Sequence, residues 1–407
     1  MSHIPAIVTP LDGHMGLDIA RSLAEHHIPV YGIDWDPKVV GKHSRCCRFI
    51  QSPNPEHKGG ADYLEFLVDF GKKLGRKAVL YPLSDMQVLL CSAHRNTLQK
   101  YYEYAMPDHE TVVKLTTKDG LQAIAREFRI PAPQTIFIKD ADEIETIASQ
   151  MTYPAILKPT ESTYWHHPQI TGLLRKGLLD GRAKVILCQN SAELLEAYHH
   201  VAPHDDRLVV QEVIPGEDSR LVYFSFYLDR HSSPMGIFAG RKYRIIPKGF
   251  GSASYVRSMY DPELTDLALT FLSKIGYQGL GGIEFKKDPR DERYKLIEFN
   301  TRFGMWDGLS VRCGVDLPYI AYSNTLNRPM EPKLNYRTDV TWIDWQRDVR
   351  AAVAYWRKGE LSFTQWLNSL RGEKMWAIYS KKDWGPGIAL SLDLARKLWD
   401  RINPPER

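Results

Sequence analysis

A chain that begins as α/β and continues as α+β is predicted by three observations. Over the first hundred residues, short apolar runs alternate with stretches whose apolar residues recur at i, i+3 and i+4, the signature of strands and helices in a parallel layer. After Pro107 the strand patterns multiply and the loops between them lengthen, as expected for antiparallel strands with helices to one side. Beyond Asn335 the pattern is helical and basic and holds seven of the ten tryptophans.

Taken in order, residues 4–8 read as a strand, 16–26 as a helix with Ile19 and Leu23 on one face, and 30–33 as the next strand. Residues 63–74 are helical, with Leu64, Leu67, Val68 and Leu74 on one stripe; 78–80 form a third strand and 87–96 a further helix. This is a Rossmann-like layer, assigned to residues 1–110. Thr117 is placed to cap a helix carrying Leu121, Ile124, Ala125 and Phe128, which stops before Pro131 and Pro133. Strands follow at 155–158, 208–212, 221–228, 234–238, 282–286 and 294–299, with helices near 192–200 and 262–275. A second domain therefore spans 111–330, with a subdomain at about 135–215, and a helical extension spans 331–407. For that extension, indoles packed onto the body are expected, with docking on a lipid surface as the alternative.

The composition, 43% hydrophobic and 25% charged, is that of a globular protein, with no apolar run long enough to span a bilayer. The net charge of +4 resides in residues 335–407, where 13 Lys+Arg face 9 Asp+Glu, and the rest is balanced, which argues against nucleic acid as a partner. Five scattered cysteines without a C-x-x-C pair give neither a disulfide framework nor a zinc site, and suit a reducing cytoplasm. The start Met1-Ser2-His3-Ile4-Pro5 lacks the features of a signal peptide.

Leu11-Asp12-Gly13-His14-Met15-Gly16 links the first strand to the first helix, with Asp34 and Asp36 ending the second strand. A dinucleotide site built on Gly13, Gly16 and Asp34 is one reading, but Leu11 occupies the place of the first glycine of that fingerprint. A tight turn that allows close helix–strand packing is the plainer one.

The stretch from Tyr294 to Gly304 is the most informative. On a strand, Glu298 and Asn300 share a face. The strand Gly281-Gly282-Ile283-Glu284-Phe285 precedes it across a polar turn, so a hairpin sets Glu284 roughly opposite Glu298. Two carboxylates and an amide oxygen make a hard-oxygen site suited to Mg²⁺. Arg302 stands just beyond, where a guanidinium can bind a phosphoryl or acyl-phosphate oxygen. Lys158 ends an apolar strand, and a half-buried lysine is costly unless an anion neutralises it. The strand ending at Glu212 leads through Val213, Ile214, Pro215 and Gly216 to Glu217 and Asp218, a backbone edge for adenine followed by acids for ribose hydroxyls. Lys242 and Arg244 would share a strand face and meet phosphates or a substrate carboxylate, with loop 249–252 closing over them.

In this order the elements resemble the ATP-grasp superfamily, from the N-terminal layer to about Pro318, and within it the carboxylate–amine ligase branch that includes D-aspartate ligases. Ser84-Asp85 and the Trp-rich end also resemble that branch. The resemblance implies Lys118 and Lys158 as the nucleotide lysines, Glu212, Val213 and Ile214 as the adenine hinge, and Glu217 or Asp218 as the ribose acid. It implies Glu284, Glu298 and Asn300 as ligands of two Mg²⁺ ions, with Mn²⁺ as a substitute, and Arg302 beside the transferred phosphoryl group. Its implied cofactor is ATP, its partners are a small-molecule or peptide carboxylate and an amine, and a homodimer is the family-level expectation. One departure is the segment 161–184, long and holding Trp165, His166 and His167 where many members carry a short Gly/Ser-rich lid. The activity implied is joining a carboxylate to an amine through an acyl phosphate. Biotin-carboxylase-like carboxylation, a dinucleotide-dependent oxidoreductase, and a binding protein without turnover are the competing readings.

Overall fold

The computed structural model describes residues 3–160, 185–328 and 330–402; the expectations placed on 161–184 lie outside them. The N-terminal layer is a five-stranded parallel sheet in the order β3-β2-β1-β4-β5. Its strands are β1 (Ala6–Thr9), β2 (Val30–Asp34), β3 (Arg48–Gln51), β4 (Ala78–Pro82) and β5 (Tyr102–Glu103). Helix α1 (Gly13–Glu25) follows β1, and helices α2 (Ala61–Leu74) and α3 (Asp85–Ala93) flank β4. Alternation along β1 sends Ala6 and Val8 into one core with Ile19 and Leu23 of α1, and Ile7 into another with Tyr63 and Leu67 of α2. The short edge strands β3 and β5 went unread in the sequence, being too brief to establish a period.

Helix α4 (Lys118–Glu127) leads into the second domain. Thr117 precedes it but does not cap it: its hydroxyl donates back to Val113 O at 2.9 Å. A four-stranded antiparallel sheet, β6-β9-β7-β8, then forms a separate layer from β6 (Thr135–Phe137), β7 (Ala155–Pro159), β8 (Ile186–Cys188) and β9 (Leu208–Glu212). Its core joins Ala155, Leu157, Leu208 and Val210 to apolar residues of the helices Ile144–Gln150 and Ser191–Val201.

The largest sheet has seven strands in the order β14-β13-β10-β11-β12-β15-β16. These are β10 (Leu221–Leu228), β11 (Pro234–Ile246), β12 (Ser252–Ser258), β13 (Gly279–Lys287), β14 (Tyr294–Asn300), β15 (Thr341–Ile343) and β16 (Lys374–Trp376). One face packs Val222, Phe224, Phe226, Ile283, Phe285 and Phe299 against α4 and the helix Pro262–Lys274. The other face carries Glu284 and Glu298 at the β13–β14 end and packs Phe238, Val256 and Trp342 against Trp306 and Leu309 farther along.

Two expectations need correction. The strand expected at 234–238 runs on to Ile246, because Lys242 and Arg244 find buried acidic partners and need not leave the sheet. The end of the chain is not a purely helical appendage: β15 pairs with β12, and β16 with β15, so the segment completes the central sheet. Trp342 on β15 is fully buried, whereas Trp356, Trp384 and Trp399 are more than 60% exposed, so only part of the indole set packs inward.

Candidate active site

The polar face of the central sheet is set by register. Glu284 on β13 lies directly opposite Glu298 on β14, Gly282 opposite Asn300, and Tyr223 on β10 opposite Glu284. Residues paired across antiparallel strands share a face, so both carboxylates, the amide and the phenol point the same way. A bulge follows at once: Phe285 pairs with Leu296, skipping Ile297 and returning apolar side chains to the core beneath. The two carboxylates repel each other. Glu298 keeps access to water, yet loss of part of its hydration and then the Glu284 charge push its carboxyl upward. Lys242, 8% exposed, donates to Glu284 Oε2, an internal cation where a metal would otherwise balance charge. Glu284, Glu298 and the Asn300 amide fit a hard divalent cation by donor type.

Tyr223 was not singled out in the sequence, where it reads as one more aromatic of an apolar strand. It is 5% exposed, and its hydroxyl has no hydrogen-bond partner among the described residues. Its ring fills the space that a side chain at Gly282 would need, which accounts for the glycine beside Glu284.

Facing this sheet, Lys158 on β7 is half-buried and donates to Gln211 Oε1 at 2.7 Å. Burial first, then the Lys118 charge, depress its ammonium to about 8, against the opposing pull of Glu298. The field of Lys118 and Glu298 at Lys158 reflects how the fold gathers the three. Lys118, at the start of α4, donates to Pro159 O at 2.7 Å and Thr160 O at 3.0 Å and so lashes α4 to the end of β7. Arg302, two residues past Asn300, donates through Nε to Asp85 Oδ1 at 2.7 Å, a link to the N-terminal domain. Burial opposes its charge, but Asp85 outweighs it and holds the guanidinium above its ordinary value. Asp85 opens α3, whose Ser84 cap accepts from Gln87 N–H.

Other expected residues are engaged elsewhere. Arg244, 4% exposed, makes a two-pronged pair with Asp348 at 2.7 and 2.9 Å, stacks on Tyr255 at 4.0 Å, and does not join Lys242. The register shifts between Lys242 and Arg244 (each keeps its own pairing with β12, around Tyr243), so the two cations part company. At the hinge, Glu212 N–H donates to Gln134 O and Val213 N–H to Pro154 O, while the Glu212 carboxylate pairs with Arg290 at 2.6 Å. Ile214 is buried. Asp218 accepts from Tyr355 OH inside the protein, whereas Glu217 is exposed, so of the two ribose candidates only Glu217 faces solvent. Against a dinucleotide site, Leu11 is fully buried, and both Asp34 oxygens accept from backbone, from Asp12 N–H of the β1–α1 loop at 2.8 Å and Asp36 N–H at 3.0 Å. Gly16 is explained by packing: a Cβ there would lie 2.8 Å from Pro10 O and Leu11 Cα.

Lys158 on one sheet thus lies within electrostatic reach of Lys118 at the start of α4 and of Glu298 on another sheet, with Arg302 two residues past Asn300. The chain has the fold of ATP-grasp proteins. It is 25% identical over 260 residues to the D-aspartate ligase of Enterococcus faecium (strain Aus0004), which covers 62% of this chain; the chain spans about 60% of that curated relative's length. No protein-family model matches it. Among solved structures, it resembles the biotin carboxylase domain dimer of the Hydrogenobacter thermophilus 2-oxoglutarate carboxylase, bound to MgADP, ADP and bicarbonate. The TM-score is 0.61 at 16% identity, over 84% of this chain and 74% of that one. The N5-carboxyaminoimidazole synthetase of Staphylococcus aureus gives a TM-score of 0.59 at 14% identity, over 83% and 80%. These likenesses establish the ATP-grasp fold for the chain. Among its described residues no helix is long and apolar enough to cross a membrane.

Proposed function

We propose that this ATP-grasp protein is an ATP-dependent ligase that joins a carboxylate to an amine and releases ADP and phosphate. The observation that carries the reading is the facing pair Glu284 and Glu298, with Asn300 beside them and Lys158 opposite. In the proposed reaction a carboxylate oxygen attacks the γ-phosphorus of ATP, the bond to the β-bridging oxygen breaks, and ADP leaves. The amine then attacks the acyl phosphate carbonyl, phosphate departs, and the amine's proton passes to solvent or phosphate. Mg²⁺ held by Glu284, Glu298 and Asn300 would supply charge neutralisation on the phosphates.

The chain's own residues do the positioning. Lys118 and Lys158 hold phosphate oxygens, Lys242 shifts from Glu284 toward the transferring group, and Arg302, steadied by Asp85, meets the charge that develops on the acyl phosphate. The backbone from Glu212 to Ile214 borders the base, and Glu217 takes the ribose hydroxyls. The relative's name makes an amino-acid carboxylate the first acid to try. Incubation with ATP labelled with ¹⁸O at the β–γ bridge tests the scheme. An acid that promotes bridge-to-nonbridge scrambling without amine supports an acyl phosphate, whereas no scrambling with any acid, aspartate and bicarbonate included, argues against it.

A further inference from the structure

A second concave site lies away from the nucleotide cluster, where the chain crosses from the central domain into the β6–β9 layer. Residues 130–134 run along the outer edge of β14, and Leu296 N–H donates to Pro131 O at 2.7 Å. Gln134 N–H donates to Glu212 Oε2 at 3.0 Å, which joins the same linker to the hinge. Between this linker, the last turns of α4 and the start of β14 is a cavity of about 630 Å³, within the size range of small-ligand sites.

The charge in this cavity is one-sided. Arg126, Arg129, Arg293 and Lys295 line it, and among the described residues no acid does. Lys295 is balanced by Asp291 at 2.5 Å, just outside. Arg126, Arg129 and Arg293 enter no ion pair among the described residues, although Arg126 donates to Thr135 O at 3.3 Å. Three uncompensated guanidinium groups around one hollow repel one another, and each offers a planar fork that suits an oxyanion. We infer that this hollow is a binding site for a small oxyanion carrying two or more negative charges, of the phosphate or polycarboxylate kind. Its wall is the linker between the two layers, so occupancy stiffens the crossing into the β6–β9 layer. None of its lining residues belongs to the nucleotide cluster, and the inference stands apart from the ligase reading.

The test is titration calorimetry with inorganic pyrophosphate, without added metal, on the full chain carrying Lys158→Ala, which weakens competing capture at the nucleotide site. Binding is expected, and the added pair Arg129→Gln and Arg293→Gln, both at exposed positions, should weaken it at least about tenfold, as loss of charged hydrogen bonds predicts. Tricarballylate in a parallel titration separates the sources: equal binding identifies a site that reads charge, and pyrophosphate alone identifies a phosphate site. Hydrogen exchange at residues 130–136 should slow on binding. Absence of binding, or binding unchanged by the two arginine replacements, overturns the proposal.

Discussion

Arg302 and Asp85 meet at 2.7 Å across the boundary between the central sheet and the N-terminal layer. The arginine that would face the reacting group is therefore aimed by a carboxylate from another domain, presented at the first turn of α3. Asp85→Asn keeps the shape and removes the charge. It should lower kcat/KM for ADP release by about tenfold, the cost of one charged hydrogen bond, mainly through kcat. The thermal midpoint should move little, because Asp85 is exposed on its other side. Steady-state kinetics and a melting curve on the same sample check both halves.

Lys158 makes nucleotide binding sensitive to alkaline pH. Its ammonium sits near 8 because burial and Lys118 disfavour the charge, so the free protein loses this cation as pH rises through about 8. Affinity for ATP should fall above that pH, while Lys158→Arg, which stays protonated, should flatten the profile. Stability should move the other way. Between about 8 and the ordinary lysine value of 10.5 the unfolded chain holds the proton and the folded chain does not, so this residue's penalty is relieved as pH rises. Calorimetric affinities from pH 7 to 9.5 check the binding half.

Asp18 gives a complementary case. It lies on α1, buried against Gly308, neither carboxylate oxygen has a hydrogen-bond partner among the described residues, and burial pushes its pKa to about 8. An acid raised in the folded state contributes stability that is full below its unfolded value of 3.8 and lost as pH rises through about 8. Asp18→Asn should therefore raise the thermal midpoint at pH 8 and leave it nearly unchanged at pH 4. Melting curves at the two pH values decide it.

The separation of Lys242 from Arg244 predicts two different phenotypes from neighbouring cations. Arg244→Ala strands the buried carboxylate of Asp348, which also accepts from Trp366 Nε1 at 2.9 Å, and should cost about 3–5 kcal/mol of stability. Lys242→Ala should leave a folded protein with a large loss of turnover. Urea unfolding and ADP release measured on both variants test the contrast.

The β13–β14 hairpin was legible because strand period, a polar turn and paired acids agree, and the structure sets Glu284 opposite Glu298. Residues 208–212 and 221–228 were legible as apolar runs with clear ends. Arg244 was not, because a register shift beside Tyr243 changes which side each cation meets, and strand alternation cannot announce it. The surroundings of Asp218 were hidden for a different reason: its partner Tyr355 lies 137 residues away, and tertiary contacts of that kind leave no local pattern. The three-residue strands β15 and β16 were hidden among helix-patterned neighbours, and only the completed sheet makes Trp342 a core residue.

In the proposed nucleotide site, Glu284 and Glu298 face Lys118 and Lys158. Titration calorimetry of Mg·ATP into wild-type protein and Glu298→Gln tests this arrangement most directly, with melting curves as a check on folding. A ligand at a hundred times its dissociation constant adds about 2.7 kcal/mol of stability, so binding also appears as a raised midpoint. Saturable binding is expected for the wild type, with a severe loss in a Glu298→Gln protein that remains folded. Equal binding by both proteins, or none by the wild type, would contradict the arrangement.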